Sequence, residues 1–342
     1  MNRLKYPEKR HLSKYDLSND LFIELGIKVI DIIPLRKVFL IKTETGNIIL
    51  KLMDVGLDRI EFIDKCIKTI YKRYKNIIQF RKFESGKPYI EWKNRIYIIM
   101  DILKGREAAF TSEIEYKMCI RALAQMHIGA NQGLTNKDIR AYMDEPLFEK
   151  FDKNLEIIIS IKNDVNKFKY KNEFDELFLQ NADKIINQIK QARTMLDIEE
   201  YKKYRENRDN ITICHNDLTN HNFLISGEDV YIIDFDYCSI DLKVMDIADI
   251  LLKGIKNAAF DFDKAILSLN EYSSVNELYK QEYYMIYILM MYPKEMISII
   301  QSYYYKQKQW DYEVFLDRLK NKISNDEFRD DFLEQYHTQL RF

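Results

Sequence analysis

Glycine, proline and cysteine are scarce in this 342-residue chain, at nine, five and four residues. Most of the glycines and prolines fall in the first 150 residues, and no low-complexity linker or internal repeat is present. Cys66, Cys119, Cys214 and Cys238 form no C-x-x-C pair. That argues against a zinc site or a disulfide framework and predicts buried free thiols in a reducing compartment. Neither sign of charge is in excess, with 53 Lys and Arg against 54 Asp and Glu. Nothing therefore calls for nucleic acid or an anionic membrane as a partner. Long apolar runs are missing too: the longest, Tyr283 to Tyr292, is about half a membrane span. The amino terminus, Met1 to Asp16, is charged and has no apolar signal core, so a cleaved signal peptide is not expected. These absences predict a soluble protein synthesised in the cytoplasm.

What is present is core material. Hydrophobic residues make up 46% of the chain and include 24 Tyr and 19 Phe. This excludes a disordered chain, and the length is enough for two lobes with a large core. Heavy use of Ile, Lys, Asn and Tyr points to an AT-rich genome. Between Gly26 and Lys104 the pattern is short β-rich runs bounded by turn residues. Phe39 to Thr43 and Asn47 to Met53 flank a Glu44-Thr-Gly46 hairpin turn. Leu57 to Lys75 reads as a helix, with Ile60, Ile63, Ile67, Ile70 and Tyr74 at helical spacing. Tyr89-Ile90 and Arg95 to Ile102 read as strands. After Gly105 helices dominate: Ser112 to Ala130 with Ser112 as N-cap, Leu147 to Lys162, and Asn172 to Tyr204. A β interlude at Asn222 to Phe235 precedes further helices from Lys243 onward. The expectation is an α+β chain: an N-lobe over 1–103, an antiparallel sheet plus helix, and a mainly helical C-lobe over 104–342.

Polar groups concentrate between apolar flanks in Ile213-Cys-His-Asn-Asp-Leu-Thr-Asn-His-Asn-Phe-Leu-Ile225, followed by Val230-Tyr-Ile-Ile-Asp-Phe-Asp236. A polar loop on a rigid scaffold is where catalytic groups usually sit. Asp217 precedes Asn222 by five residues, and Asp234 lies twelve beyond Asn222. Phosphoryl transfer needs one carboxylate near the attacking hydroxyl, and oxygen ligands for a Mg2+ ion that neutralises the transferring group. Asp217 fits the first role; Asn222 and Asp234 fit the second. D-x-x-x-x-N followed by D-F-x has the kinase catalytic-loop and metal-loop spacing. A lone Asp between strand and helix is usually a cap or turn former, but three polar groups at these separations make that the minority reading.

His215 and His221 bracket the loop with no Cys or carboxylate at metal-ligand spacing, and His215 is expected to hydrogen-bond backbone and fix the loop. His127 reads as a buried, satisfied histidine, and the basic stretch Lys65 to Lys82 as a solvated helix face. Lys51 interrupts the apolar run Ile48 to Met53, so its ammonium needs an anionic partner or a route to water. An edge-strand lysine pointing outward fits that pattern as well.

H-N-D-x-x-x-x-N followed by I-D-F-D resembles the aminoglycoside and choline kinase branch of the protein-kinase-like fold. Gly86-Lys-Pro-Tyr89, Tyr97 to Glu107, Leu123-Ala-Gln-Met-His127, and Asp234 through Asp249 extend the resemblance to the spore coat kinase-like (CotS) family of endospore-forming bacteria. It covers roughly residues 25–340. The resemblance implies a bilobal protein-kinase-like (aminoglycoside phosphotransferase-like) fold, ATP (or another nucleotide) and Mg2+ as cofactors, and transfer to a hydroxyl of a small-molecule acceptor. It implies that Lys51 holds nucleotide phosphates and that Glu61 pairs with it, a solvated Glu61 being the alternative. Met100 to Leu103 becomes the strand whose backbone meets an adenine ring, or simply a core strand, or both. Asp246 would anchor the catalytic loop, and Asp236 would be a structural acceptor or a further metal ligand. Asp249 is left facing solvent or capping a helix. Other spore coat proteins are the alternative partners, and the spore coat the place of deposition.

One segment departs from the kinase pattern. Ile32-Ile-Pro-Leu-Arg-Lys-Val-Phe39, which should fold over the nucleotide phosphates, has no glycine. Glycines let backbone N–H groups approach phosphate closely; Pro34 removes a donor, and Arg36 and Lys37 are left to make contact through side chains. Two readings follow. Asp217, Asn222 and Asp234 favour an active phosphotransferase, whereas the glycine-free loop and the coat-family resemblance favour a weak or inactive kinase-fold component of the coat.

Overall fold

Alternation along Phe39 to Thr43 and Ile48 to Leu52 puts Phe39, Ile41, Ile48, Leu50 and Leu52 on one buried face, the period of a strand with one side in a core. The computed structural model describes Leu17 and residues 19–35, 38–256 and 258–340. They form two units, one of Met1–Ala108 with Asn220–Cys238, the other of Ala109–Thr219 with Ser239–Phe342. Residues 220–238, expected within a lobe starting at 104, thus group with the first unit.

The first unit opens with α1 (Asn19–Glu24), β1 (Val29–Leu35), β2 (Val38–Thr43), β3 (Gly46–Met53) and α2 (Leu57–Tyr71). It continues with β4 (Ile90–Trp92), β5 (Arg95–Asp101) and β6 (Arg106–Glu107). The first five strands make one antiparallel sheet in the order β1-β2-β3-β5-β4. Leu21 and Phe22 of α1 and Tyr97 and Ile99 of β5 complete its core. Gly46, at φ +132, adopts a backbone that L side chains avoid and so closes the β2–β3 turn. The segment expected as a phosphate loop is mostly strand: Pro34 faces Phe39 and Leu35 faces Val38 across a β1–β2 hairpin. Pro34 is tolerated because β1 is an edge strand. Arg36 and Lys37 lie outside the described residues.

The chain then builds the second unit with α3 (Glu113–Gly133), α4 (Asn136–Tyr142), α5 (Leu147–Asn166), α6 (Glu173–Met195), α7 (Ile198–Glu206) and β7 (Ile211–Cys214). Ser112 caps α3, its side chain accepting from Glu115 N. The helix expected over Asn172 to Tyr204 is two helices. Asp197 interrupts it by accepting from Glu200 N, an N-cap bond that competes with helix continuation.

The chain returns to the first unit for β8 (Phe223–Ser226) and β9 (Asp229–Ile232), which join β6 in a second sheet. Ile78 N donates to Ile232 O, Ile232 N to Asn76 O and Tyr74 Oη to Val230 O, tying this hairpin to the segment after α2. Back in the second unit, β10 (Ser239–Leu242) pairs antiparallel with β7. The helices α8 (Val244–Lys256), α9 (Phe262–Ser273), α10 (Lys280–Met291), α11 (Lys294–Tyr304), α12 (Tyr312–Ser324) and α13 (Asp326–Leu340) follow. Among the described residues no helix is long and apolar enough to cross a membrane.

Helix α8 packs closely on α3 through a glycine. A Cβ at Gly254 would come within 2.1 Å of the Tyr116 ring, and that ring is fixed by a 3.0 Å bond from its hydroxyl to Ile250 O. Gly254→Ala is therefore expected to destabilise the protein by about 1–3 kcal/mol through overpacking, although alanine is the better helix former. Chemical denaturation checks this; an unchanged or raised midpoint would show that the ring yields.

Candidate active site

Within the first unit the β8–β9 hairpin positions one cluster of candidate residues. Phe223 pairs with Ile232, and Ile233 N donates to Asn222 O at 3.0 Å, which extends the ladder by one step. Asn222 and Asp234 are thereby brought to adjacent strand ends. Asp234 sits at φ +68, a left-handed conformation that Asp tolerates better than most residues. Buried Phe235 separates it from Asp236. Lys51 Nζ of β3 donates to Asp234 Oδ1 and Asp236 Oδ1, both at 2.7 Å, from a side chain only 11% exposed. Burial alone would lower the ammonium pKa; the two carboxylates outweigh it and hold it above the ordinary lysine value. Asp236 is displaced upward, chiefly by burial and against the pull of Lys51. Lys51 thus finds carboxylate partners rather than open water.

Glu61 is not the partner of Lys51: it accepts from Tyr89 Oη at 3.2 Å, because the lysine is taken up by the two aspartates. What α2 gives the Asp234–Cys238 segment is Arg59, whose Nη2 donates to the carbonyls of Asp236 and Cys238 at 2.7 Å each. Cys66, two turns along the same helix face, hydrogen-bonds Cys238; that bond and burial push its thiol far up. All four cysteines are buried free thiols. Met100 pairs with Ile49 in the sheet and bridges to Phe80, and Leu103 follows the end of β5, half-buried. His221 Nδ1 lies 2.6 Å from Glu107 Oε2 on the surface.

The second unit carries a polar cluster of its own, around Asp217 and α8. Asp246, in the first turn of α8 and fully buried, accepts from His215 N at 2.6 Å, Asn216 N at 2.8 Å and His127 Nε2 at 3.1 Å. A carboxylate can only accept, so His127 carries a proton on Nε2, and its Nδ1 lies 2.7 Å from Tyr272 Oη. Burial would raise the Asp246 carboxyl, but its histidine and backbone donors outweigh that and hold it below the ordinary value. His215 Nδ1 accepts from Asp217 N at 3.2 Å. Asp249 accepts from Leu218 N at 2.9 Å, so the loop on both sides of Asp217 is pinned by α8. Lys253 Nζ reaches Asp249 Oδ2 at 2.8 Å and Asp217 Oδ1 at 3.0 Å. Burial lowers the Lys253 ammonium, and Asp249 and Asp217 together bring it above its ordinary value. Asp249 and Lys253 were not recognisable as site residues one at a time. Their spacing of three and seven from Asp246 on one helix face was the available signal.

Among the described residues no group of three or more His, Cys, Asp or Glu is arranged to hold a metal. The candidate donors are instead one amide oxygen and two carboxylates, from Asn222, Asp234 and Asp236. An all-oxygen set suits a hard cation such as Mg2+, and the Lys51 ammonium already bridging the carboxylates shows that positive charge is accommodated there. The residues fit the ion.

The family model described as "Spore coat putative kinase YutH" matches residues 28–336. The chain belongs to this family. It is 24% identical to spore coat protein S of Bacillus subtilis strain 168 over 316 residues, covering 88% of this chain and 86% of that protein. Among solved structures it is similar to an aminoglycoside phosphotransferase from Alicyclobacillus acidocaldarius, with a TM-score of 0.74 at 17% identity over 99% and 98% of the two chains. A spectinomycin phosphotransferase in complex with ADP and spectinomycin gives 0.62 at 19% identity, over 94% and 93%. A choline kinase from Streptococcus pneumoniae gives 0.58 at 14%, over 92% and 98%. At these identities the structures show the fold alone. It is the kinase-like phosphotransferase fold that the sequence pattern predicts, with a small antiparallel sheet region and a larger helical region.

Proposed function

We propose that this member of the family is an ATP- and Mg2+-dependent phosphotransferase of the spore coat, acting on a hydroxyl of a small-molecule acceptor. One observation supports it above others: a lysine and two aspartates 183 and 185 residues away in sequence share hydrogen bonds beside Asn222. A fold that only needed packing has no use for three charged groups gathered there. Asn222 and Asp234, with Asp236 in support, would hold the metal, which when bound neutralises charge on the transferring phosphoryl group. Lys51 would exchange carboxylates for nucleotide phosphates, and the backbone of Met100 to Leu103 would receive the adenine. Asp217 would orient the acceptor hydroxyl and take its proton as the new O–P bond forms and ADP leaves. His215, Asp246 and Asp249 are positioning residues that fix the loop carrying Asp217.

Radiolabelled γ-phosphate tests the proposal. Label is expected to pass from ATP to a hydroxyl compound with Mg2+ present and not with a chelator. ATP binding without transfer across a wide panel of alcohols would instead support a coat component that binds without turnover. The glycine-free β1–β2 hairpin and its Pro34 speak for that second reading.

A further inference from the structure

Several cations of the second unit stand near Asp217 and the end of α8. Lys253 lies 3.0 Å from Asp217, and Lys256 follows three residues on at the end of α8. Arg318 and Lys322 are four residues apart on α12 and share a face. Lys322 pairs with Glu295 yet also lies within hydrogen-bonding reach of Lys256; burial and that neighbouring ammonium push it down to about 7. Lys308 and Arg318 both stand against the Trp310 ring, 4.4 and 4.1 Å from its centroid. Burial and Arg318 lower the Lys308 ammonium while Asp217 draws it back up, so Lys308 stands in the field of Asp217. Among the described residues, Lys256, Lys308 and Arg318 have no carboxylate within ion-pair distance. The whole chain is close to neutral, at −1. Like charges held this close repel unless an anion enters among them.

We propose that the acceptor is an anionic alcohol, its carboxylate or phosphate received by Lys256, Lys308, Arg318 and Lys322 while its hydroxyl meets Asp217. The proposal rests on the reading of Asp217 as the acceptor's base. It gives the unit a specificity that disfavours amine alcohols such as choline, whose fixed positive charge the same field repels. The cations have a second source of anion to attract, the nucleotide phosphates, and the experiment must tell the two apart.

Melting temperature is measured at constant ionic strength with sn-glycerol 3-phosphate, glycerate, glycerol, choline and sulfate, without nucleotide, and separately with ATP–Mg2+ alone. Glycerol 3-phosphate or glycerate is expected to raise it, with glycerol and choline inert and sulfate weaker. The double variant K308Q/R318Q is expected to lose that shift and keep the ATP–Mg2+ shift, and the charge-retaining K308R/R318K to keep both. Several results would overturn the proposal: no shift with either anionic alcohol, a shift matched by sulfate, or a shift that persists in K308Q/R318Q. Loss of the ATP–Mg2+ shift in that variant would overturn it too, by assigning the cations to the nucleotide. If K308Q/R318Q does not fold, the single variants K308Q and R318Q carry the same comparison. An anionic-alcohol shift in a protein that ATP–Mg2+ never stabilises defeats the phosphotransferase reading while leaving the anion site in place, so the two failures are distinguishable.

Discussion

Asp217→Asn is expected to slow phosphoryl transfer by about 10²–10⁴-fold, the range for loss of a positioned general base, with ATP–Mg2+ binding unchanged. The substitution keeps the side chain's size and leaves one oxygen able to accept from Lys253, which lies 3.0 Å from Asp217 Oδ1. Three backbone N–H groups of the loop have anchors other than this carboxylate. Asn216 N is held by Asp246, Asp217 N by His215 Nδ1 and Leu218 N by Asp249. What disappears is the oxygen proposed to take the acceptor's proton. Lys51, Asn222 and Asp234, assigned here to nucleotide and metal, are untouched. A steady-state rate with an identified acceptor, set beside the ATP dissociation constant, separates the two effects. Retained turnover would remove Asp217 from the role of base; lost ATP binding would mean that the substitution had disturbed more than proton transfer.

Asp246→Ala is expected to cost about 3–5 kcal/mol of stability, the range for removing one member of a buried charged network. The fully buried carboxylate accepts from two backbone N–H groups and from His127. Alanine would remove the acceptor of all three bonds, two of them made by donors on buried residues, His215 and His127, and lost acceptors for buried donors are what make such losses large. The effect is also dependent on pH. Because its donors hold Asp246 below the ordinary carboxyl value of 3.8, the folded protein binds that proton less readily than the unfolded chain. The stability it supplies is therefore complete above that value and lost as pH falls below it. Denaturation of wild type and variant is expected to show the full gap near neutrality and a closing gap below about pH 4. A gap independent of pH would mean that side-chain volume, rather than charge, is what Asp246 contributes.

The local elements were legible because their signals are local. Alternation gave β2 and β3, Gly46 gave the turn between them, and the spaced isoleucines gave α2. The β interlude at Asn222 to Phe235 is the β8–β9 hairpin. The break at Asp197 was hidden because an N-cap bond of one side chain interrupts an otherwise helical pattern. At the site, residue types and spacings marked Asp217, Asn222 and Asp234, but not which charge meets which. Glu61 is the partner expected for Lys51, with a solvated Glu61 as the alternative. Distance in space decides it, and Asp234 lies 183 residues away in sequence. Arg59 gave no signal at all, since its partners are backbone carbonyls, which every residue has. Lys253 was passed over for a related reason: its partner Asp217 lies on another element, and only its tie to Asp249 is local.

Asn222, Asp234 and Lys51 are proposed above all to receive a metal-bound nucleotide. Thermal stabilisation by ATP, with and without Mg2+, in wild type and Asp234→Asn, tests it most directly, because a ligand selective for the folded state must raise its stability. At about 100 times the dissociation constant the gain is about 2.7 kcal/mol. The expected result is a rise in melting temperature with ATP that grows on adding Mg2+ in wild type and does not grow in Asp234→Asn. No shift at millimolar ATP, or a Mg2+-dependent shift that survives in Asp234→Asn, would contradict it.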